Sequence, residues 1–579
     1  MNLPLIGPIA LVLIAGSLAF GGDNTASPHA SSPPRRKPVA LALAENGWLY
    51  VANQATGTVS VIDTERRKVA AEHVEGRALA DLAITPDGRS LLAADPVENH
   101  LLVISREADK LPLQLRVMVA PDPVSIAVSP DGTVCTVASR WSRRLTIVAL
   151  GGEPHVGRTV ELPFAPRRQV FVDGSKQLVV ADAFGGGLAL IDLEKGAIES
   201  VRKVHAHNIG GLAMSADGAR LLLTQQYLNA MAKTGADDIH WGFLMTNSVR
   251  SLPIAAVRKP AEDLIFGVRL DHLGEPGRGA GDPSGLAALP GGLIVTALAG
   301  VNEVAIGPIE SADARRIAVG RRPSAVVATA NGSIAYVANT LDDTVSVVDV
   351  KAGAVLATIP LGESPPETGL VDLGERLFHD ATLSHEGWMS CQSCHTDGHA
   401  STVKADTLGD GSYGAPKRTL SLLGIADTAP YAWDGKVATL EDQVKKSFAT
   451  TLRGNPPGDE AACAVAAYLR TLPPAPPRAE RDTEAVERGR AVFATRRCER
   501  CHTPPSYTSS RAYDVGLTDE VGNMFFNPPT LRGVSQRGAL FHDSRARSIE
   551  EVITRFRHPD KVEISERDAA DLAAFLRSL

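Results

Sequence analysis

Between residues 38 and 362 the chain returns seven times to one pattern: an apolar strand, a tight turn, a second apolar strand closing on Val-Ala-Asn or a near variant, and a third strand. The segments 41–63, 82–104 and 326–349 show it most plainly. The turns sit at Asn46, Asp87, Asp131, Asp173, Asp217, Gly291 and Asn331, spaced 41, 44, 42, 44, 74 and 40 residues apart. Asn-Gly and Asp-Gly pairs supply the positive φ of a hairpin turn. A period of about 40–45 residues with several strands per unit is the mark of a β-propeller. Seven turns predict seven blades over 38–362, and the spacing of 74 marks an insertion of roughly 30 residues.

The insertion falls within 224–260 and follows His205 and His207; it carries His240, Trp241, Asn247 and Arg250. These residues leave several readings open: a plain structural loop, a channel mouth, a contact with the rest of the chain, or a metal site made by His205, His207 and His240.

From Leu373 the alternating strand pattern gives way to helical segments, and two five-residue runs follow: Cys391-Gln392-Ser393-Cys394-His395 and Cys498-Glu499-Arg500-Cys501-His502. C-x-x-C-H is the attachment signature of a c-type haem. On one helical turn, positions i and i+3 share a face, so both thiols can form thioethers to one haem edge. The histidine that follows then serves as proximal iron ligand. A zinc ribbon would place its two pairs about 15–20 residues apart, whereas 104 positions separate Cys394 from Cys498. Two covalently attached haem c groups are therefore expected, on Cys391, Cys394 and His395 and on Cys498, Cys501 and His502. Each motif opens a unit that closes on an amphipathic helix, giving two mainly α cytochrome c-like domains, 363–478 and 479–579. Of six cysteines only Cys135 and Cys463 remain; no disulfide framework is implied, and Cys463, in an Ala-rich helical run, reads as a small buried hydrophobe. A formal net charge of −7 argues against nucleic acid as a partner.

Residues 3–20 form an unbroken apolar run, so 1–22 reads as an export signal. No Lys or Arg precedes the run, and Arg35-Arg36-Lys37 follows it, which leaves an uncleaved N-terminal anchor open. Residues 23–37, rich in Ser and Pro, read as a disordered linker. Export to the periplasm or cell envelope agrees with covalent haem attachment.

The wording YVAN…GTVSVID resembles the YVTN family of bacterial surface-layer propellers. The C-terminal 210 residues or so resemble the bacterial di-haem cytochrome c peroxidase family, which includes MauG. That resemblance rests on Leu377-Phe378 with Asp380, Leu383-Ser384, both haem motifs, Trp433-Asp434-Gly435, Leu440, Gln443, Pro529-Thr530-Leu531-Arg532 and His542-Asp543. It implies that the first haem meets hydrogen peroxide or oxygen, that the second relays electrons from a small redox protein, and that Trp433 lies between them. Four departures stand out. The loop that carries a distal His in the classical peroxidases has Asp410 instead, which implies an open first iron unless His399 reaches back. The acid–base Glu is missing from 449–453, leaving Gln443 to orient peroxide. At the second haem, Phe556 stands where a Met or Tyr ligand is expected; His558 is the favoured substitute and Met524 the alternative. Arg418 falls where the family's inter-domain calcium site has an Asn, which argues against calcium.

The sequence thus predicts an exported, multidomain di-haem oxidoreductase: a seven-bladed propeller, available to dock a donor, a protein or an organic substrate, followed by two haem domains with Trp433 and Gln443 as catalytic candidates. The alternative is an electron-transfer cytochrome without substrate chemistry.

Overall fold

A computed structural model describes residues 35–107, 109–259, 264, 268–311, 313–363, 369–455, 458–478 and 482–579. The predicted export signal, 1–22, and the start of the predicted linker lie outside them. Among the described residues no helix is long and apolar enough to cross a membrane.

Seven four-stranded antiparallel sheets follow one another along the chain, at 38–74, 81–118, 123–161, 166–203, 207–272, 283–318 and 323–360. In each, the strands pair in sequence order. The middle strands are apolar and buried along nearly their whole length, as in Trp48–Asn53 and Gln177–Asp182. The fourth strands alternate exposed and half-buried positions, as in Lys68–Val74 and Ala197–Lys203. That difference follows from position: inner strands are packed on both faces by neighbouring blades, whereas the outermost strand meets water. Each predicted turn is present, with Gly47, Gly88, Gly132, Gly174, Gly218, Gly292 and Gly332 all at positive φ.

The core of the propeller is seven seams between blades. Tyr50 and Leu91 lie in the seam of blades one and two, Val179 and Leu223 in that of four and five, and Leu49 with Val345 in that of seven and one. The last seam closes the ring without a shared strand, because blade one is built wholly from the start of the repeat. Polar contacts reinforce it: the Lys37 N–H donates to Asp343 Oδ1 (2.8 Å), the Arg36 N–H to Oδ2 (3.1 Å), and Thr340 Oγ1 to the Pro38 carbonyl (2.8 Å). Residues 35–37, placed in the linker by sequence, are therefore held. Lys37 also pairs with Glu375 of the haem region (2.7 Å).

The insertion lengthens blade five. Its second and third strands, Arg220–Leu228 and Met245–Pro253, run past the sheet and are joined by 229–244, which carries a short helix α1 (Ala236–His240). A second short helix, α2 (Ile254–Arg258), precedes the fourth strand. Leu228, Ile239, Leu244 and Met245 do not join a propeller seam; they share a core with Phe378, Trp388, Leu440, Phe448 and Leu469 of the first haem unit. The insertion is that unit's packing partner, so of the readings left open by sequence the contact is the one found.

The first haem unit contains α3 (Leu370–Phe378), α4 (Cys391–Cys394), α5 (Leu440–Ser447) and α6 (Asp459–Arg470); the second contains α7 (Thr483–Thr495) and α8 (Glu566–Arg577). The two repeat one another in detail. Gly374 of α3 packs on α6 so closely that a Cβ would lie 1.9 Å from the Ala464 carbonyl oxygen, and Gly489 of α7 packs on α8 with a Cβ 1.9 Å from the Asp571 carbonyl oxygen. Cys463 departs from expectation: the buried face of α6 is made by Ala462, Val465, Ala466 and Leu469, and Cys463 points outward, exposed.

Gly374→Ala should force α3 and α6 apart and cost about 1–3 kcal/mol; denaturant unfolding followed by first-haem absorbance checks it. Gly489→Ala should do the same to the second unit alone.

Candidate haem-binding sites

The first C-x-x-C-H run is a single helical turn. The Ser390 side chain and Ser393 form a reciprocal cap across it, with the Ser390 N–H donating to Ser393 Oγ (2.9 Å). The His395 N–H donates to the Cys391 carbonyl (2.9 Å), which continues the turn by one residue and brings the imidazole round beside both sulfurs. Both thiols are free, and burial pushes each up to about 12. Such thiols stay protonated, which disfavours metal–thiolate binding. Burial lowers His395 to about 4, so its ring is neutral, and its Nδ1 is buried without a hydrogen-bond partner. Neutral imidazole is the form that ligates iron.

The propeller holds this turn from outside. Asp282 of the loop before blade six takes both serine hydroxyls, Ser390 Oγ on Oδ2 and Ser393 Oγ on Oδ1 (2.6 Å). His207, fully buried and pushed down to about 4 by burial, meets the Ser393 carbonyl through Nε2 (2.9 Å); a neutral ring must donate that hydrogen. Asn247 Nδ2 donates to the Trp388 carbonyl (2.9 Å). Just beyond the motif, Arg140 Nη1 and Arg167 Nη2 pair with Asp397 at 3.0 and 3.4 Å. Burial works against charge on Asp397, but Arg167, Arg140 and Arg322 together hold its carboxyl below the usual carboxylate range.

Cys391, Cys394 and His395 line a cavity of about 300 Å³ together with Trp433, Gln443, Ser447, Thr450 and Thr451. Among the described residues that line it, His395 is the only imidazole. Gln443 Nε2 donates to Ser447 Oγ (3.2 Å), leaving a buried Oε1 without a partner. Asp410 also lines the cavity but is engaged: Lys417 Nζ bonds it and lies 3.2 Å from Asp519 of the second unit. That three-residue link ties the 407–417 loop to the second haem unit. His399 does not reach back. Its Nδ1 lies 3.0 Å from Ser421 Oγ, its Nε2 faces the Gln536 carbonyl (3.4 Å), and its ring packs edge-on against Trp141 and Phe184 of the propeller.

At the second motif Cys498–Arg500 forms a 3-10 turn, and the His502 N–H again reaches the first cysteine's carbonyl (2.9 Å). Here the imidazole is oriented, with Nδ1 3.1 Å from the Tyr507 carbonyl, which leaves Nε2 for a ligand. Burial pushes Cys498 up to about 11 and raises Cys501. His558 is half-buried and pushed down to about 4, first by burial and next by His502. Phe541 and Phe556 wall the same space. Met524 lies elsewhere, 45 % exposed.

The residues of both motifs therefore fit covalent haem: in each, two unpaired thiols stand one turn apart with a neutral, buried histidine after them. No three ligand atoms of Cys391, Cys394 and His395 converge as a metal site would require.

Trp433 joins the units. It lines the first cavity, donates through Nε1 to the Arg418 carbonyl (2.9 Å), and accepts at its own carbonyl from Asn527 of the second unit (2.7 Å). The Arg418 guanidinium lies 5.4 Å from its ring centre and His542 6.3 Å from it. Arg418 is itself buried; its Nε donates to the Phe541 carbonyl (3.1 Å) and its N–H to that of His542 (2.7 Å). A fixed guanidinium thus spans the seam between the haem units at the position where the resemblance would place calcium. Asp282 and Asp397 were missed by sequence reasoning, since a lone Asp in a propeller loop and another after the motif carry no spacing signal. Of the three insertion-region histidines, His205 is exposed, His207 faces Ser393 and His240 pairs with Glu386 (2.9 Å), so no site forms among them.

Residues 368–475 match the family model described as di-haem cytochrome c peroxidase. The methylamine utilization protein MauG of Methylophilus methylotrophus is 26 % identical over 276 residues, which are 36 % of this chain and 81 % of that protein. The cytochrome c551 peroxidase of Nitrosomonas europaea is 24 % identical over 302 residues, 41 % of this chain and 90 % of that one. Among solved structures, a chain of Kuenenia stuttgartiensis hydrazine synthase aligns with a TM-score of 0.49 and 19 % identity, covering 56 % of this chain and 98 % of its own.

Asp282→Ala strands the Ser390 and Ser393 hydroxyls and should cost about 1–3 kcal/mol, while Asp282→Asn retains an acceptor and costs less. Denaturant unfolding of the haem-loaded variants, followed by haem absorbance, should place Asp282→Ala below Asp282→Asn and both below the parent chain.

Proposed function

Taking the C-terminal region as a haem oxidoreductase of the di-haem cytochrome c peroxidase/MauG type, we propose that the chain is an exported enzyme in which hydrogen peroxide or oxygen reacts at the first site and electrons arrive through the second. The observation that carries this reading is the asymmetry of the two sites. The first has one imidazole, His395, in a cavity also lined by Gln443, Thr450 and Thr451. The second brings His558 near His502.

Cys391, Cys394 and His395 would hold the first haem, which would supply the chemistry with peroxide or oxygen, and Cys498, Cys501 and His502, with His558 beside them, would hold the second, which would supply one-electron transfer. The chain's residues do the rest. Gln443 offers an unpartnered carbonyl oxygen and an amide in the cavity, and so orients a hydroxyl-bearing oxidant. Lys417, itself paired with Asp519, binds the Asp410 carboxylate and so keeps it from acting as a free base or ligand in the cavity. Trp433 links the two units through the Arg418 and Asn527 contacts and is the side chain best placed to pass electrons between them. Met524 is too exposed to serve as the second site's ligand in this arrangement. The donor is a small redox protein, and the propeller's outer surface is left for a protein or organic substrate.

One observation favours the second reading, an electron carrier without substrate chemistry. The 449–453 segment places Thr450 and Thr451, not a carboxylate, at the cavity, and the two carboxylates that line it are both paired, Asp410 with Lys417 and Asp434 with Lys436 (3.1 Å). Moving a proton between peroxide oxygens benefits from a free base.

Electron paramagnetic resonance of the oxidised, haem-loaded protein separates the two. The enzyme reading expects one high-spin and one low-spin signal, with the high-spin signal consumed by peroxide. Two low-spin signals indifferent to peroxide would overturn it. His558→Ala should convert the low-spin signal to high-spin while leaving the first site unchanged. Gln443→Ala should lower steady-state peroxide turnover on the order of 10²-fold, the usual scale for losing an oriented hydrogen-bonding group in an active site.

A further inference from the structure

A second, smaller cluster of ligand-type side chains lies on the seam between propeller and first haem unit. His240 Nδ1 is 2.9 Å from both carboxylate oxygens of Glu386, and His385 Nε2 is 3.6 Å from Oε1. One ligand atom from each of the three lies within 4.8 Å of the other two; among the described residues no other group of three His, Cys, Asp or Glu does so. The three come from two domains. His240 ends α1 in the blade-five insertion, while His385 and Glu386 precede the first haem motif by a few residues. The neighbouring Ile239, fully buried in the shared core, fixes where His240 stands.

The carboxylate is already oriented. Gly277 of the propeller donates its N–H to Glu386 Oε2 (2.9 Å), and Gly279 donates to the Glu386 carbonyl (2.7 Å). Outer contacts of this kind aim a ligand before the metal arrives. Trp241 packs edge-on against the His240 ring (5.0 Å between centres) and limits its rotation. All three side chains are half-buried, between 22 and 37 % exposed: sheltered, yet reachable by an ion from water.

We infer that His240, His385 and Glu386 form a binding site for a Zn²⁺-class divalent ion, which ties the blade-five insertion to the segment that carries the first haem. Two imidazoles and a carboxylate are a zinc donor set, with three protein ligands and a fourth position left for water. Imidazole with carboxylate disfavours Ca²⁺ and Mg²⁺, which take oxygen ligands alone. Neutral imidazole and ionised carboxylate are the forms that ligate such an ion, so the ion takes the place of the direct His240–Glu386 contact. The site is separate from both haem motifs and does not depend on the proposed activity.

The test is calorimetric titration of Zn²⁺ into the haem-loaded, chelator-washed full chain, with zinc-edge X-ray absorption of the one-equivalent sample. The expected result is one equivalent bound, two imidazoles and oxygen at about 2.0–2.2 Å, and affinity weakened at least tenfold by His240→Ala, by His385→Ala and by Glu386→Gln separately. His155→Ala, an exposed propeller histidine, should change nothing. Glu386→Gln preserves shape, so haem content and circular dichroism confirm that it folds. No uptake at micromolar free Zn²⁺, or uptake that the three substitutions leave unchanged, would overturn the assignment and reduce the cluster to an ion pair.

Discussion

The contact on which the architecture turns is a carboxylate reaching from one domain into the first helical turn of another. Asp282, from a propeller loop, receives both serine hydroxyls of the first haem-attachment turn, and His207 and Asn247 take the backbone on either side. Each of these groups is buried. A buried polar group left without its partner costs about 1–3 kcal/mol, so the contacts are cooperative: removing one leaves several others unmet. Burial pushes the Asp282 carboxyl upward while the two hydroxyl bonds oppose that shift. The turn that carries His395 is therefore positioned by the propeller as much as by its own unit, and the shared core of Ile239, Leu244, Trp388 and Phe448 makes the two inseparable.

The haem region is a duplication whose halves have drifted apart where chemistry is expected. Gly374 and Gly489 serve the same helix crossing. Tyr431 bridges Val437 as Leu540 bridges Ala546, and Ala432 and Phe541 share a left-handed backbone at corresponding places. Within that common frame Trp433 corresponds to His542. His542 is 1 % exposed, stacks on Phe526 at 4.3 Å, and has neither ring nitrogen hydrogen-bonded. The two equivalent side chains meet at the seam, with Arg418 over the indole and donating to the backbone beside the imidazole. Burial, and Arg537 nearby, lower Arg418 to about 9, which still leaves it charged at neutral pH and makes it a cation fixed between the two units.

The repeat was legible because its signals are local. Asn-Gly and Asp-Gly turns and runs of buried strand residues recur at a constant spacing, and each reports a backbone requirement met within a few positions. The haem motifs were legible for the same reason, since thiol, thiol and imidazole must share one turn. The insertion was visible as an interruption of the period, but its purpose was not, because Ile239 and Met245 find their apolar partners more than a hundred residues away. Asp282 and Asp397 gave no signal at all: each acts through partners contributed by a distant segment. Cys463 shows the converse error, since an alanine-rich helix offers small residues on every side and composition does not say which side faces in.

The propeller's grip on Ser390, Ser393 and Asp397 also orders events in the life of the chain. Thioether bonds to Cys391 and Cys394 must be made while those sulfurs are accessible, yet the seated propeller covers the turn that bears them. Haem attachment at the first motif therefore precedes docking, and a chain that docks too early seals an empty turn inside a closed interface. Among the described residues no propeller group bonds the second motif, which carries no deadline of this kind. Maturation of the protein is thus asymmetric in time, with the propeller closing the account of one haem and leaving the other open.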